Sequence, residues 1–262
     1  LPVAITNNLN FASPQTEIGY WQLSTACEGI SIACEALETP VTGGNVSLYN
    51  ESIDDEGNKK PIQPTPVIGM VGVLDNVKQA VSSGWKNIND EIWIIGSKDS
   101  GLTLGATSYL EYFHGQITGR PPSLNLIDEK LCQLFIRNGI LNNLIISSHD
   151  VSDGGLAIAL AESCILSDKG ASINLIANER IDSLLFSEGG SRIIFSISHM
   201  KKNEWLKFVS EESKNFTDSI YVTKIGTVLQ DTLKIKISDN IICDLKISSL
   251  ADKFNNGLSN NF

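Results

Sequence analysis

Apolar positions recur along the chain with two periods, and the places where one period gives way to the other lay out its elements. The opening run from Leu1 to Thr6 reads as a strand. Between Pro14 and Leu37, Ile18, Trp21, Ile30, Ala33 and Leu37 are spaced so that they share one face of a helix, which Thr39 and Pro40 stop. Val41 to Tyr49 holds β-formers interrupted by Gly43 and Gly44, predicting a strand with a glycine turn at one end. Glu51 to Pro66 has almost nothing to bury and predicts a mobile hairpin tip or loop. Pro66 to Leu74 predicts a buried strand in which Gly69 and Gly72 allow close backbone approach, and a short helix is expected near Asn76 to Val81.

The polar run Asn87 to Glu91 precedes a new strand, Ile92 to Ile95, and sets a domain boundary near residue 88, dividing the chain into 1–88 and 89–262. Helices are expected at Tyr109 to Phe113 and at Ile127 to Arg137, the second ended by the capping pair Asn138 and Gly139. Then come strand Leu144 to Ser148, an Ala-rich helix Leu156 to Leu166, strands Ala171 to Ile176 and Arg192 to Ser198, and helix Asn203 to Glu212. Strand Tyr221 to Leu229 follows, and Leu233 to Ile237 joins Ile241 to Ile247 as a hairpin turning at Asp239 and Asn240. The mixture predicts an α/β (α+β) fold with β-rich ends, without internal repeats.

Composition narrows the functional classes. With 42 % hydrophobic residues and four Trp, the chain can build one large core or two ordinary ones. A net charge of -10 disfavours both a phosphate-backbone grip and adsorption to anionic lipid, and no apolar run approaches the roughly 18 to 20 residues of a membrane helix. Neither nucleic acid nor membrane is expected as a partner. Leu1 stands where a Met would open a chain, which reads as a truncated sequence. Cys27, Cys34, Cys132, Cys164 and Cys243 lie in apolar periodic segments without CxxC spacing, predicting buried reduced thiols and a reducing compartment, cytosol or plastid stroma.

Candidate chemistry gathers in three glycine loops. In Thr42 to Ser47 the pair Gly43 and Gly44 exposes backbone N–H groups that suit phosphate oxygens, Asn45 offers a hard oxygen for magnesium, and alternation puts Asn45 and Ser47 on one side of the strand. A tight turn capped by Asn45 fits the same residues. In Ser148 to Gly155, strand, acidic loop and helix follow one another, so the helix start favours an anion and Asp150 and Asp153 suit an accompanying metal; helix capping by Asp153 fits equally. His149 is expected to be structural. In Phe186 to Arg192, Glu188 and Arg192 are expected to pair with each other, or to bind metal and phosphate respectively. Neither a Walker lysine nor a G-x-G-x-x-G fingerprint is present.

The runs TNNLNFASP (Thr6 to Pro14), ALETPVTGGNVSLYNE (Ala36 to Glu51) and SHDVSDGGL (Ser148 to Leu156) resemble, in order and spacing, the second aminoimidazole-ribonucleotide-synthetase-like module of the phosphoribosylformylglycinamidine synthase family. The resemblance implies an A-type domain, truncated at its start, followed by a B-type domain, each of mixed sheets with packed helices. It also implies ATP-dependent conversion of formylglycinamide ribonucleotide, with ammonia derived from glutamine, to the amidine in purine biosynthesis. ATP and Mg2+ are the implied cofactors. The implied partners are the missing N-terminal module, which carries the family's catalytic histidine, a glutaminase subunit and a small bridging subunit. Gly44 matches an ATP-binding glycine, Asn45 a magnesium ligand and Ser47 a substrate-contacting serine. Asn7 stands where the family commonly has an ATP-binding aspartate; the amide keeps an oxygen acceptor and loses a charge. The alternatives are a structural module whose nucleotide never turns over, and a stand-alone relative such as aminoimidazole ribonucleotide synthetase or a hydrogenase-maturation protein. By itself the chain is expected to lack synthase activity and to be poorly stable.

Overall fold

The computed structural model describes residues 2–176 and 180–257; Leu1, at the head of the first predicted strand, lies outside them. Packing divides the chain into two compact units, 1–77 and 78–262.

The first unit is built on a strand–helix–strand crossover. Strand β1 (Pro2–Asn10) leads through helix α1 (Glu17–Leu37) to β2 (Val41–Ser47), which lies parallel to β1. Antiparallel strands within such a unit need only a tight turn, whereas a parallel return needs a crossover of this length. Thr16 caps α1 by accepting a hydrogen bond from the Gly19 N–H, and Glu38 ends it in a left-handed conformation. A small hairpin, β3 (Glu51–Ile53) with β4 (Lys59–Pro61), precedes β5 (Thr65–Gly72), which pairs antiparallel with the other side of β1. The sheet order is β2-β1-β5.

Three expectations for this unit are corrected. Gly43 and Gly44 sit inside β2 rather than in a turn, and neither has positive φ. Along α1, the half-buried line runs through Leu23, Ala26, Ile30, Ala33 and Leu37, while Ile18 and Trp21 turn outward and are about two-thirds exposed (65 % and 63 %). Strand β5 forms as expected but is exposed along its whole length, because it is an edge strand paired only with β1 in a sheet of three that leaves its Val67, Met70 and Val71 uncovered.

The second unit is a seven-stranded sheet between two helical layers. Its elements are β6 (Glu91–Ser97), α2 (Ser108–His114), α3 (Leu126–Leu141), β7 (Ile145–Asp150), α4 (Gly155–Ser167), β8 (Gly170–Leu175), α5 (Ile181–Phe186), β9 (Arg192–Ile197), α6 (Lys202–Glu212), β10 (Ile220–Leu229), β11 (Thr232–Ile237), β12 (Asn240–Lys246) and α7 (Ile247–Asn256). The strand order is β12-β11-β8-β10-β6-β9-β7, with β8 and β11 parallel and the other pairs antiparallel. Interior strand β6 is buried throughout: Ile92 and Ile94 join a core with Leu156 and Leu160 of α4, Leu185 of α5 and Ile247, while Trp93 and Ile95 join a second with Phe135 of α3 and Trp205 and Phe208 of α6. A strand covered on both faces reads as a continuous apolar run, as IWII does here.

Trp85 is buried in the first of these cores, its indole N–H 3.3 Å from Cys164 Sγ. Helix α3 runs past Asn138 and Gly139 instead of ending there; a β-carbon at Gly139 would lie 2.6 Å from Ile145 Cδ1, so the glycine serves packing and not capping. The hairpin turns at Ser238 and Asp239, both with positive φ, one residue before the expected pair. Helices α5 and α7 were not anticipated, although Ile247, Leu250, Ala251 and Phe254 have helical spacing. Cys132 and Cys164 are buried and free, and burial pushes their thiols up to about 12. Cys27 departs from the expectation: it is free but exposed on α1. No helix of the described residues is long and apolar enough to cross a membrane.

Candidate functional site

The crossover brings the two conspicuous polar runs of the first unit side by side. In the parallel register Asn7 faces Gly44, Asn8 faces Asn45 and Asn10 faces Ser47. A β-carbon at Gly44 would fall 2.0 Å from Asn7 Oδ1 and 2.2 Å from the Asn7 backbone oxygen, so this contact admits no side chain. The carboxamide of Asn45 donates through Nδ2 to Ser47 Oγ at 3.2 Å and to Asn8 Oδ1 at 3.4 Å. Ser47 is anchored through its backbone oxygen, which accepts from the Phe11 N–H at 3.0 Å and from Asn50 Nδ2 at 2.8 Å.

All four predicted site residues, Asn7, Gly44, Asn45 and Ser47, therefore stand on one strand pair, but on its two faces. Alternation places Asn7 with the buried Ile5 and Leu9, and sets Asn8 and Asn10 on the opposite, exposed face with Asn45 and Ser47. A single ligand touching both sets has to reach around β2, which is the edge strand of its sheet and so keeps one row of backbone groups free of strand pairing. The donors suit magnesium only in part. Asn45 Oδ1 receives no hydrogen bond from a described residue and is a hard oxygen, yet among the described residues no group of three or more His, Cys, Asp or Glu is placed to hold a metal. One amide oxygen fits a cation that brings its other ligands with it, as phosphate oxygens and water.

The other two glycine loops meet in the second unit. Gly154 and Gly155 have φ of 76° and 73°, a conformation that opens α4 without a side-chain cap. The capping role considered for Asp153 is thus not taken; Asp150 and Asp153 are both exposed. Glu188 reaches this loop: its Oε1 accepts from the Gly154 N–H at 2.8 Å and from the Ser108 N–H, at the start of α2, at 2.9 Å. The expected Glu188–Arg192 pair does not form. The buried Arg192 guanidinium instead donates to the backbone oxygens of Ser187 and Gly189, and burial lowers its pKa. The anion-favouring N–H at the head of α4 is therefore already taken by the protein's own carboxylate. His149 has both ring nitrogens engaged, its Nε2 3.1 Å from Glu162 and its Nδ1 2.7 Å from the Asp150 backbone oxygen.

Asp128 was missed by sequence reading. Fully buried at the start of α3, it accepts from Ser97, Thr217 and Ser219 at 2.5 to 2.7 Å, joining α3 to β6 and to the turn before β10. Nothing local marks it, since its partners lie 31 to 91 residues away. A cavity of about 730 Å³ beside Ile94, Leu156, Leu184 and Tyr221 contains none of the predicted site residues.

Comparison with known proteins bears on the whole chain. Residues 1–74 match the family model described as AIR synthase related protein, N-terminal domain, and residues 87–232 match AIR synthase related protein, C-terminal domain. The chain is 64 % identical over 262 residues to the phosphoribosylformylglycinamidine synthase subunit PurL of Prochlorococcus marinus (strain AS9601), covering all of this chain and 34 % of that protein. It thus spans about a third of the length of the curated relatives it matches. Among solved structures, T. maritima PurL complexed with ATP aligns with a TM-score of 0.66 at 16 % identity over 95 % of this chain and 38 % of that one. E. coli HypE, a hydrogenase maturation protein, aligns with a TM-score of 0.63 at 12 % identity over 94 % of this chain and 73 % of that one. At such identities the structural likeness speaks for the fold alone.

Proposed function

This chain belongs to the AIR synthase related protein family, and from that premise we propose that it works as part of a phosphoribosylformylglycinamidine synthase. The observation that carries the proposal is its 64 % identity, along its whole length, with proteins named as the PurL subunit of that enzyme. The HypE-like alternative shares the fold at 12 % identity, and so has no comparable support.

In the proposed reaction ATP activates the amide oxygen of formylglycinamide ribonucleotide by phosphorylation, and ammonia then displaces phosphate to give the amidine. The β1–β2 pair holds nucleotide. Gly44 lets the strands approach, Asn7 accepts a hydrogen bond beside it, Asn45 supplies one oxygen to Mg2+, and the Ser47 hydroxyl donates to substrate. Magnesium, when bound, offsets phosphate charge. The proposal includes a second module bearing the catalytic histidine, a glutaminase subunit, a small bridging subunit, and residence in the cytosol or plastid stroma.

A second reading, a nucleotide held for structure alone, draws on one feature: Asn7 puts a neutral amide where the family commonly has a carboxylate. The two are separated by measuring substrate-dependent ADP release from the full-length protein that carries this chain, given ATP, Mg2+, formylglycinamide ribonucleotide and ammonia. Turnover that falls on Asn45→Ala supports a working site. Unchanged turnover with loss of bound nucleotide favours the structural role, and neither binding nor turnover overturns both.

A further inference from the structure

We propose that Asn8 is a positioning residue: it fixes the orientation of the Asn45 carboxamide, so that the oxygen and not the nitrogen faces a phosphate-bound cation. The inference deepens the nucleotide-site reading of β2 and rests on it.

An asparagine side chain carries an acceptor oxygen at one end and an NH2 donor at the other. On an exposed strand face it can present either to a ligand, and a half-turn about its last bond exchanges them. Magnesium accepts only the oxygen. An exposed Asn45 is therefore a reliable ligand only if its NH2 group is held elsewhere.

The strand register provides that hold. Asn8 and Asn45 face each other across the parallel β1–β2 pair, and Ser47 follows on the same side of β2. Both neighbours offer oxygens to Asn45 Nδ2, Ser47 Oγ at 3.2 Å and Asn8 Oδ1 at 3.4 Å, which leaves Asn45 Oδ1 directed away from them. Of the two acceptors, Ser47 is also the residue proposed to meet substrate. Its hydroxyl rotates to suit a ligand, whereas no contact with substrate is proposed for Asn8. The adjacent Asn7 does not share the task, since it lies on the other face against Gly44. The Asn8 side chain is exposed, so its removal acts on the amide more than on packing.

The test uses Mg·ATP and, separately, ATP in EDTA, titrated calorimetrically into the full-length protein that carries this chain. One neutral hydrogen bond corresponds to roughly a fivefold change in an equilibrium, so Asn8→Ala is expected to weaken Mg·ATP by roughly fivefold and metal-free ATP by less than about twofold. Asn8→Asp keeps the acceptor and is expected to restore magnesium-dependent binding. Without any nucleotide, the Asn45 side-chain NH2 resonances, assigned by their loss in Asn45→Ala, are expected to shift in Asn8→Ala and to stay close to their original positions in Asn8→Asp. Should alanine disturb strand pairing, Asn8→Val, a stronger strand former without an acceptor, carries the same expectation. If Asn45→Ala abolishes the magnesium dependence while Asn8→Ala leaves both binding and the Asn45 resonances unchanged, the positioning role falls and the site stands. If Asn45→Ala changes nothing, or the unmodified full-length protein binds no Mg·ATP, the reading of the site falls and this inference with it.

Discussion

At Gly44 a methyl group meets oxygen on two sides, and one of those oxygens belongs to the backbone of β1. Backbone cannot rotate away as a side chain can, so Gly44→Ala must separate β1 from β2. It is expected to destabilise the first unit by about 1–3 kcal/mol and to abolish nucleotide binding; a thermal melt and an ATP titration of the same variant check both. At Asp128 the effect is electrostatic. Burial would raise its pKa, but hydroxyl donors from Ser219, Ser97 and Thr217 outweigh burial and hold the carboxyl below its ordinary value of 3.8. A group with a lowered folded pKa stabilises fully above its unfolded value and loses that contribution as pH falls through the folded one. Asp128→Asn is therefore expected to narrow the stability difference between pH 7 and pH 3 seen in urea unfolding. An unchanged pH dependence would assign the acid sensitivity to other carboxylates.

Elements form where local pattern predicts them, and their ends move where packing intervenes. Asn138 and Gly139 have the composition of a helix end, yet α3 continues through them because Ile145 and Phe208 need the space that a side chain would fill. In an exposed helix, Gly→Ala would gain about 1 kcal/mol from propensity. Here the new β-carbon presses on Ile145, and Gly139→Ala is expected to lower stability by about 1–2 kcal/mol instead. Denaturant midpoints of the variant decide the sign, and a rise would show that the core relaxes around the methyl. Strand β5 and helix α1 make the complementary point: their type was legible, but not their exposure, which depends on how many layers cover them.

The two units differ in how much they bury. The first has Ile5, Leu9, Phe11 and Ala12 as its buried apolar side chains and leaves Trp21, Val67, Met70 and Val71 exposed, whereas the second holds two extensive cores around β6. Exposed apolar surface on this scale marks an interaction face or an aggregation hazard. Limited thermolysin digestion is expected to cut within 1–77 first and to leave a resistant fragment beginning near residue 78. In size-exclusion chromatography the chain is expected to self-associate. Equal resistance of both units, together with a sharply melting monomer, would count against the small-core argument.

Sequence alone determined the order and type of most elements and the mixed α/β class, while the family resemblance marked the four candidate site residues. Period and turn chemistry are local properties, set by a few neighbouring backbone torsions. It also placed Asn45 and Ser47 on one side of their strand, since that follows from alternation. The tertiary structure decided the rest: that Asn7 and Asn45 lie on opposite faces, that Asn8 Oδ1 accepts from the Asn45 amide, and that Glu188 answers Gly154 and Ser108 instead of Arg192. Those partners lie 34 to 80 residues apart in the chain. A polar group's partner is chosen by which strands pair and in what register, and that choice is made by the whole hydrophobic pattern and not by the residues beside it.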